Sequence, residues 1–273
     1  MILVTGANGH LGSATLAALR ATGAAATGGS RTPGEGTRHL DFDDPSSLDL
    51  TGVSTLVLVS AGYAEDDQVV ARHAAVLDAA ARDGVRHVVY TSLTTGGDHL
   101  GFALAHRATE HLVRASGLPW TILRNGLYAE LFGALLPWTD DGALELESPF
   151  GDGALAAVAR EDLAEAAALV AADPTGHDGR VYDLVGTPIT AGQVAARLGV
   201  PHRTITLGEY RRRLLEEAPE LLPFQPPMLA SIATSIRHGF LNATTDDLTH
   251  LLGRPPRAPL ATAVAVASAA RPE

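Results

Sequence analysis

The stretch Ile2-Leu3-Val4-Thr5-Gly6-Ala7-Asn8-Gly9-His10-Leu11-Gly12 decides the fold. Ile2 to Thr5 reads as a strand. Three glycines follow at G-x-x-G-x-x-G spacing, and Leu11 to Thr22 has helical character until Gly23 stops it. A glycine turn between a strand and a helix suits a dinucleotide pyrophosphate. Gly6 allows the tight turn, Gly9 the close approach of backbone to phosphate, and Gly12 the close packing of helix on strand. The helix N-terminus adds free N–H groups and the positive end of its dipole. Gly6, Ala7, Asn8, Gly9, His10, Leu11 and Gly12 are therefore expected to cradle a dinucleotide, because the strand-before and helix-after context that the motif requires is present.

Outward from this turn, short apolar runs alternate with helical stretches. Residues 24 to 30 are expected to form a second strand, although Ala-Ala-Ala-Thr-Gly-Gly-Ser is a poor one, and 38 to 42 a short third. Thr55–Ser60, Val85–Thr91 and Trp120–Arg124 read as further strands. Asp66–Arg82 and Leu104–Ser116 read as the helices between them, each followed closely by a glycine. This alternation implies βαβ units and a Rossmann-type, doubly wound parallel sheet. Residues 1–126 form the expected dinucleotide-binding core. Residues 127–273 are mixed. The segment 151–186 returns to the core through a helix at Arg160–Ala172 and a strand at Val181–Val185. Residues 127–150 and 187–257 make a smaller, mainly helical substrate lobe. Its expected helices are Ala191–Leu198, Leu207–Glu217, Pro227–His238 and Thr244–Leu252, separated by prolines. The alanine-rich last residues are expected to fray. No internal repeat is visible.

Composition excludes several classes. The net charge of −11 offers no broad basic field for nucleic acid or an anionic membrane. No cysteine occurs, so disulfides, thiolate metal sites and a cysteine nucleophile are absent. No run of about 18 apolar residues suggests a transmembrane helix, and the glycine turn begins too early for a signal peptide. A soluble, cytoplasmic protein is the expectation.

The end of the second strand selects the cofactor. An NAD site usually carries an acid about 20 residues after the glycines, on the ribose hydroxyls. Here the chain reads Gly28-Gly29-Ser30-Arg31-Thr32-Pro33, with no acid. Arg31 stands where a 2′-phosphate would lie, and Ser30 and Thr32 can add hydroxyl donors. NADP(H) is expected over NAD(H). Asp41 or Phe42 is expected to border the adenine.

The sequence resembles the NmrA-like group of atypical short-chain dehydrogenases, and within it the bacterial NAD(P)H:quinone oxidoreductases and triphenylmethane reductases. The resemblance covers nearly the whole chain. It is carried by the turn at 5–12, Ser30-Arg31-Thr32-Pro33, Leu56-Val57-Leu58-Val59-Ser60 and Tyr90-Thr91-Ser92-Leu93. His106 with Thr109-Glu110, Leu123-Arg124-Asn125-Gly126-Leu127-Tyr128, Gly151-Asp152-Gly153, Arg160-Glu161-Asp162 and Leu251-Leu252-Gly253 carry the rest. It implies a Rossmann fold, bound NADP(H) and a cleft roofed by the C-terminal lobe. It extends the expected cofactor contacts to Ser60, Ala61, Gly62, Thr91, Ser92, Asn125, Gly126 and Leu127, with the Thr91 and Ser92 hydroxyls near the nicotinamide.

One departure from the wider dehydrogenase pattern matters. Typical members use Tyr-x-x-x-Lys, and the matching positions here are Phe102 and His106. Phenylalanine cannot transfer a proton, whereas a quinone or cationic dye accepts hydride with little acid catalysis. His106 is expected to orient cofactor or acceptor. Tyr128 and Trp138 are candidates for the substrate space, with packing as the alternative. His106 and Glu110 are i, i+4 and expected to share a structural hydrogen bond. His106 and His111 lie about 140° apart around a helix and cannot share a metal, so no metal site is expected. Ser92 lacks the G-x-S-x-G surroundings of a nucleophile. Arg211-Arg212-Arg213 reads as a solvated helix face. Two functions stay open: an NADPH-dependent oxidoreductase passing hydride to a quinone or similar electron-poor small molecule, and a non-catalytic NADP(H) sensor that controls a partner protein. A homodimer is compatible with both.

Overall fold

The computed structural model describes residues 1–34, 36–61, 64–140, 144–216, 218 and 220–272. The chain begins β1 (Ile2–Thr5), α1 (His10–Ala21), β2 (Ala26–Ser30), β3 (Thr37–His39), β4 (Thr55–Val59), α2 (Asp66–Arg82), β5 (His87–Leu93), α3 (Ala103–Ala115) and β6 (Trp120–Asn125). It continues α4 (Ala129–Ala134), β7 (Trp138–Asp140), β8 (Leu144–Ser148), β9 (Ala154–Ala157), α5 (Arg160–Ala172), β10 (Arg180–Leu184) and β11 (Thr187–Thr190). The last part is α6 (Ala191–Leu198), β12 (His202–Thr204), α7 (Leu207–Glu216), α8 (Gln225–Arg237), α9 (Asp247–Leu252) and α10 (Pro259–Ala269).

Seven parallel strands form the main sheet in the order β10-β6-β5-β4-β1-β2-β3. The expected arrangement holds: β1 lies between β2 and β4. Strands buried on both faces read as continuous apolar runs, and Leu56-Val57-Leu58 and Val88-Val89 show why. Val57 and Val89 pack with α1 and α5 on one face. Leu56, Leu58 and Val88 pack with α2 and α3 on the other. The third strand ends at His39, three residues short of the expected limit.

The poor second strand has a packing reason. A Cβ on Gly28 would come 2.4 Å from Ala7 Cβ and 2.9 Å from Thr37 Cγ2. The turn after β1 presses on this strand, and only glycine leaves room. Gly12 answers the same pressure, because its added Cβ would lie 2.3 Å from the Gly6 carbonyl oxygen.

The lobe adds short strands to its expected helices. It carries a three-stranded sheet, β12-β8-β7, and a two-stranded pair, β11-β9, beside its helices. Within 151–186, α5 and β10 join the main core while β9 pairs outside it. Helix α9, expected in the lobe, packs Leu248 into the core cluster of α1 and α5. The alanine-rich tail does not fray over its length. Pro259 opens α10, whose Ala263 and Ala267 are fully buried. Gly133 of α4 lets this helix approach, since a Cβ there would sit 2.5 Å from the Ala263 carbonyl. The Trp138 indole N–H donates to the Ala267 carbonyl at 2.8 Å, and Arg271 lies over the same ring. Trp138 is thereby a packing residue. Glu273 lies outside the described residues.

Candidate functional site

The glycine turn leaves β1 with Gly6 at φ +61°, a left-handed conformation that favours glycine. The Gly9 N–H donates back to the Gly6 carbonyl at 2.8 Å, and Gly9 stands as the N-cap of α1 with no capping side chain. The first N–H groups of α1 are thus left for an external acceptor. Ala7 and Leu11 are buried and pin the turn, while Asn8 and His10 are exposed at its rim. Asn8 donates from Nδ2 to the Thr32 carbonyl at 3.0 Å, tying the turn to the segment that carries Arg31. Arg31 is exposed and makes no side-chain hydrogen bond or ion pair among the described residues. It does act at a distance on Asp43, whose carboxyl is held low first by the Arg72 guanidinium that clamps it. Asp41 is turned into its own loop, accepting from the Asp43 N–H. Phe42 packs edge-on to His73 with centroids 6.5 Å apart.

Further along the carboxyl edge, the side chains are bound to one another. The Ser60 N–H donates to Thr91 Oγ1 at 3.1 Å, and the Ala61 N–H to His73 Nε2 at 2.9 Å. Gly62 lies outside the described residues. A backbone N–H can only donate, so His73 carries its proton on Nδ1 and donates to Thr109 Oγ1 at 2.8 Å. Thr109 in turn donates to the Ala105 carbonyl. His73 is fully buried, and burial pushes its pKa down to about 3, so it stays neutral. Nothing in the spacing marks this residue in advance. It is one polar position on the apolar face of α2.

His106 and Glu110 do not bond each other, contrary to the i, i+4 expectation. His106 Nδ1 instead meets the Tyr90 hydroxyl at 3.1 Å. Burial, then the neighbouring Arg107, depress its pKa to about 4. The Glu110 carboxylate is almost fully buried and accepts from Ser92 at 2.7 Å, Arg107 at 2.9 Å and both ends of the Arg124 fork at 2.9 and 2.8 Å. Burial opposes its ionisation, but the hydrogen bonds from Arg124 and Ser92 prevail and hold its pKa below the ordinary value. Charge-assisted, bidentate bonds of this kind are the strong ones. The Ser92 hydroxyl is consequently turned inward, and Thr91 Oγ1 serves a backbone N–H. Both hydroxyls expected near the nicotinamide are thus bonded within the protein. The positions of Phe102 and His106 bring their rings within 6.2 Å.

At the end of β6 the pattern breaks. Asn125 Oδ1 is buried and has no hydrogen-bond partner. The Gly126 N–H donates to the Leu184 carbonyl, and Leu127 is buried. Tyr128 lies under the Arg160 guanidinium, 4.9 Å from its centroid, with Arg160 N–H donating to Glu130. Gly126 and Leu127 line a pocket of about 240 Å³ with Thr94, Thr95, Leu155 and Phe240, and Asp183 at its polar end. The Asp183 carboxylate accepts from Thr94 Oγ1 and the Thr95 N–H. Tyr128 and His106 are not among the pocket's lining residues. Among the described residues no cluster of histidine and acid side chains has the makings of a metal site, and no helix is long and apolar enough to cross a membrane. Arg213 is no solvated cation: with Arg203 it pairs the buried Glu147.

The residues fit a dinucleotide. The uncapped helix start, the glycine packing and the exposed Arg31 provide an anion cradle, and Asn125 Oδ1 is a buried acceptor awaiting a donor. Comparison with known proteins points the same way. Residues 6–174 match the model of the family described as NAD(P)H-binding. Quinone oxidoreductase 2 of Escherichia coli is 35% identical over 213 residues, covering 72% of this chain and 73% of its own. Among solved structures, the Citrobacter sp. triphenylmethane reductase complexed with NADP(H) superposes with a TM-score of 0.84 at 29% identity, over 97% of this chain and 99% of its own. The Escherichia coli NADPH-dependent quinone oxidoreductase complexed with NADPH gives 0.83 at 30% identity, over 97% and 99%. The chain belongs to the NmrA-like, NAD(P)H-binding family.

Proposed function

We propose that the protein is an NADPH-dependent oxidoreductase that reduces a quinone or a similar electron-poor small molecule. The observation that carries this reading is one juxtaposition on a single sheet edge. A glycine cradle with an arginine unpaired among the described residues lies at the β1–β2 end, and an apolar pocket of about 240 Å³ opens at the β5–β6–β10 end. The relatives named as quinone oxidoreductases and a triphenylmethane reductase support it.

Gly6 to Gly12 and the start of α1 hold the pyrophosphate, and Arg31 selects the 2′-phosphate. Asn125, Gly126 and Leu127 meet the nicotinamide end, and the Ala61 loop is held for it by His73. NADPH, when bound, supplies the hydride. The chain's own task at the reacting end is to position and to keep water out. Phe102 stands where typical relatives carry a tyrosine proton donor, so ketone reduction is not expected. The pocket is smaller than most ligand pockets, which start near roughly 300 Å³, and suits one or two fused rings.

Purified protein tested for steady NADPH oxidation against a panel of benzo- and naphthoquinones checks the reading. Turnover with several quinones and none with simple ketones is expected. Tight NADPH binding with no turnover on any acceptor would replace it with the sensor reading.

A further inference from the structure

Tyr90 is fully buried in β5, a strand lying in the middle of the sheet. Its ring stands edge-on to His73, with centroids 5.6 Å apart, and its hydroxyl lies 3.1 Å from His106 Nδ1. Thr109 and Ser60 are the other hydroxyls within reach. Thr109 already accepts from His73 Nδ1 and donates to the Ala105 carbonyl. An imidazole nitrogen is a stronger acceptor than a hydroxyl that is already bonded twice, and the contact with Nδ1 has hydrogen-bond geometry. A neutral imidazole has one donor and one acceptor nitrogen, and the bond made by one sets the state of the other.

We propose that Tyr90 donates its hydroxyl proton to His106 Nδ1 and so fixes His106 as the Nε2–H tautomer, a neutral hydrogen-bond donor. His106 Nε2 has no hydrogen-bond partner among the described residues, and the residue is half-buried with Nδ1 tied inward. Its charged and titratable neighbours are Arg107 and Glu110 on its own helix, His73 on α2 and Tyr90 on β5. Burial and Arg107 keep the imidazole uncharged at neutral pH. Tyr90 is thus a positioning residue. Its consequence for chemistry rests on the oxidoreductase reading. A fixed N–H donor assists a ligand that offers an oxygen lone pair, such as a quinone carbonyl or a ribose hydroxyl. It gives nothing to the carbon centre of a cationic triarylmethyl dye.

Two experiments test this. Long-range proton–nitrogen correlation spectra of histidine-labelled protein, with and without NADPH, read the tautomer without any turnover. His106 should show a bare Nδ1 and a protonated Nε2, and Tyr90→Phe should give a mixture. A protonated Nδ1 in the unmodified protein overturns the proposal. The second experiment is a cycle of Tyr90→Phe and His106→Ala assayed with a benzoquinone and with a cationic dye. Tyr90→Phe should lower quinone kcat about three- to tenfold, the worth of one neutral hydrogen bond. It should add nothing in the His106→Ala background. An unchanged dye rate and NADPH Kd would assign the donor to the acceptor oxygen. An equal loss with both acceptors, together with a weaker NADPH Kd, would assign it to the ribose. A Tyr90→Phe loss as large without His106 as with it overturns the positioning role. Absence of turnover would sink the oxidoreductase reading alone, because the spectra still decide the tautomer.

Discussion

The two ends of the cleft are built on opposite plans. At the β1–β2 end the surface is backbone: three glycines, an uncapped helix start, and one exposed arginine with no partner among the described residues. At the β5–β6 end nearly every polar side chain is already taken. Ser92, Arg107 and Arg124 close on Glu110, Thr91 holds Ser60, His73 is bonded to Thr109, and Tyr90 to His106. The first end awaits its ligand's phosphates. The second is organised in advance, so that on the proposed function little is left to reorient there, which is the condition for effective positioning. The difference also separates what each substitution should do. Changes at the first end should cost affinity, and changes at the second should cost the fold.

Glu110 gives the largest expected effect. Removing one partner of a buried ion pair costs about 3–5 kcal/mol because the other charges are left uncompensated. Glu110→Ala takes the carboxylate partner from Arg124, leaves Arg107 only the exposed Asp98, and frees the Ser92 hydroxyl. Urea unfolding should show a loss of that size. Arg114→Ala, at the exposed rim of the same carboxylate, should cost under about 1 kcal/mol. Equal, small losses in the two variants would show that the cluster is solvated and the contrast between the two ends false.

Arg31 tests the other end. A hydrogen bond to a charged group is worth about 1.5–3 kcal/mol, or one to two decades of affinity. Arg31→Ala should weaken NADPH by that factor in a fluorescence titration and leave NADH and the unfolding midpoint almost unchanged. Matching losses for both cofactors would remove the 2′-phosphate assignment.

These two plans also explain what the sequence made legible. The glycine turn, Ile2–Thr5 and the Leu56–Leu58 run are local signals, and each lies where its residues indicated. Gly28 and Gly29 looked wrong for a strand because their reason, the approach of Ala7 and Leu40, comes from other elements. The strands of the lobe hid for a related cause. Leu-Glu-Leu-Glu-Ser alternates as a strand should, but Glu147 is buried rather than solvated, and only Arg203 and Arg213 from distant elements make that tolerable. Helix α10 hid because alanines reveal no face until Gly133 gives them a groove. The network around His106 and Glu110 was not legible. The partners of residue 106 are at 90 and those of residue 110 at 92, 107, 114 and 124, and only those at 107 and 114 are at helical spacing.

Acid should act on the second end before the first. His73 and His106 have native pKa values of about 3 and about 4, well below the ordinary 6.5. Below pH 6.5 the unfolded chain takes up protons that the native histidines refuse. Stability is therefore fully present above 6.5 and falls as pH drops toward 4, by roughly 1 kcal/mol per pH unit for each histidine. The lowered carboxyl of Glu110 extends the loss below its ordinary value of 4.5. Unfolding midpoints measured from pH 7 to 4.5 should decline in this way, and His73→Gln should flatten the slope by one proton's share. A flat profile in the unmodified protein would mean that these histidines are charged in the native state.

The smallest expected effect is at His106, and it discriminates most sharply between positioning and proton transfer. A neutral imidazole with a pKa near 4 is a poor acid at pH 7 in the sense that matters: almost none of it carries the extra proton. General acid catalysis contributes typically about 10²–10⁴-fold. A donor that only orients is worth about one hydrogen bond, or roughly three- to tenfold. His106→Ala should therefore lower turnover of a reactive benzoquinone by less than about a decade and leave NADPH affinity largely intact, since on the proposed function the phosphates are assigned to Gly6 to Gly12 and Arg31. The rate of the unmodified protein should show no inflection near pH 6.5 from this group. Phe102→Tyr alone should not create a ketone reductase, because the lysine that lowers the tyrosine pKa in typical relatives is also missing. A fall of three decades in quinone turnover with cofactor binding unchanged would make His106 a proton donor. The pre-bonded network around it would then have to pass a proton rather than only hold a ring.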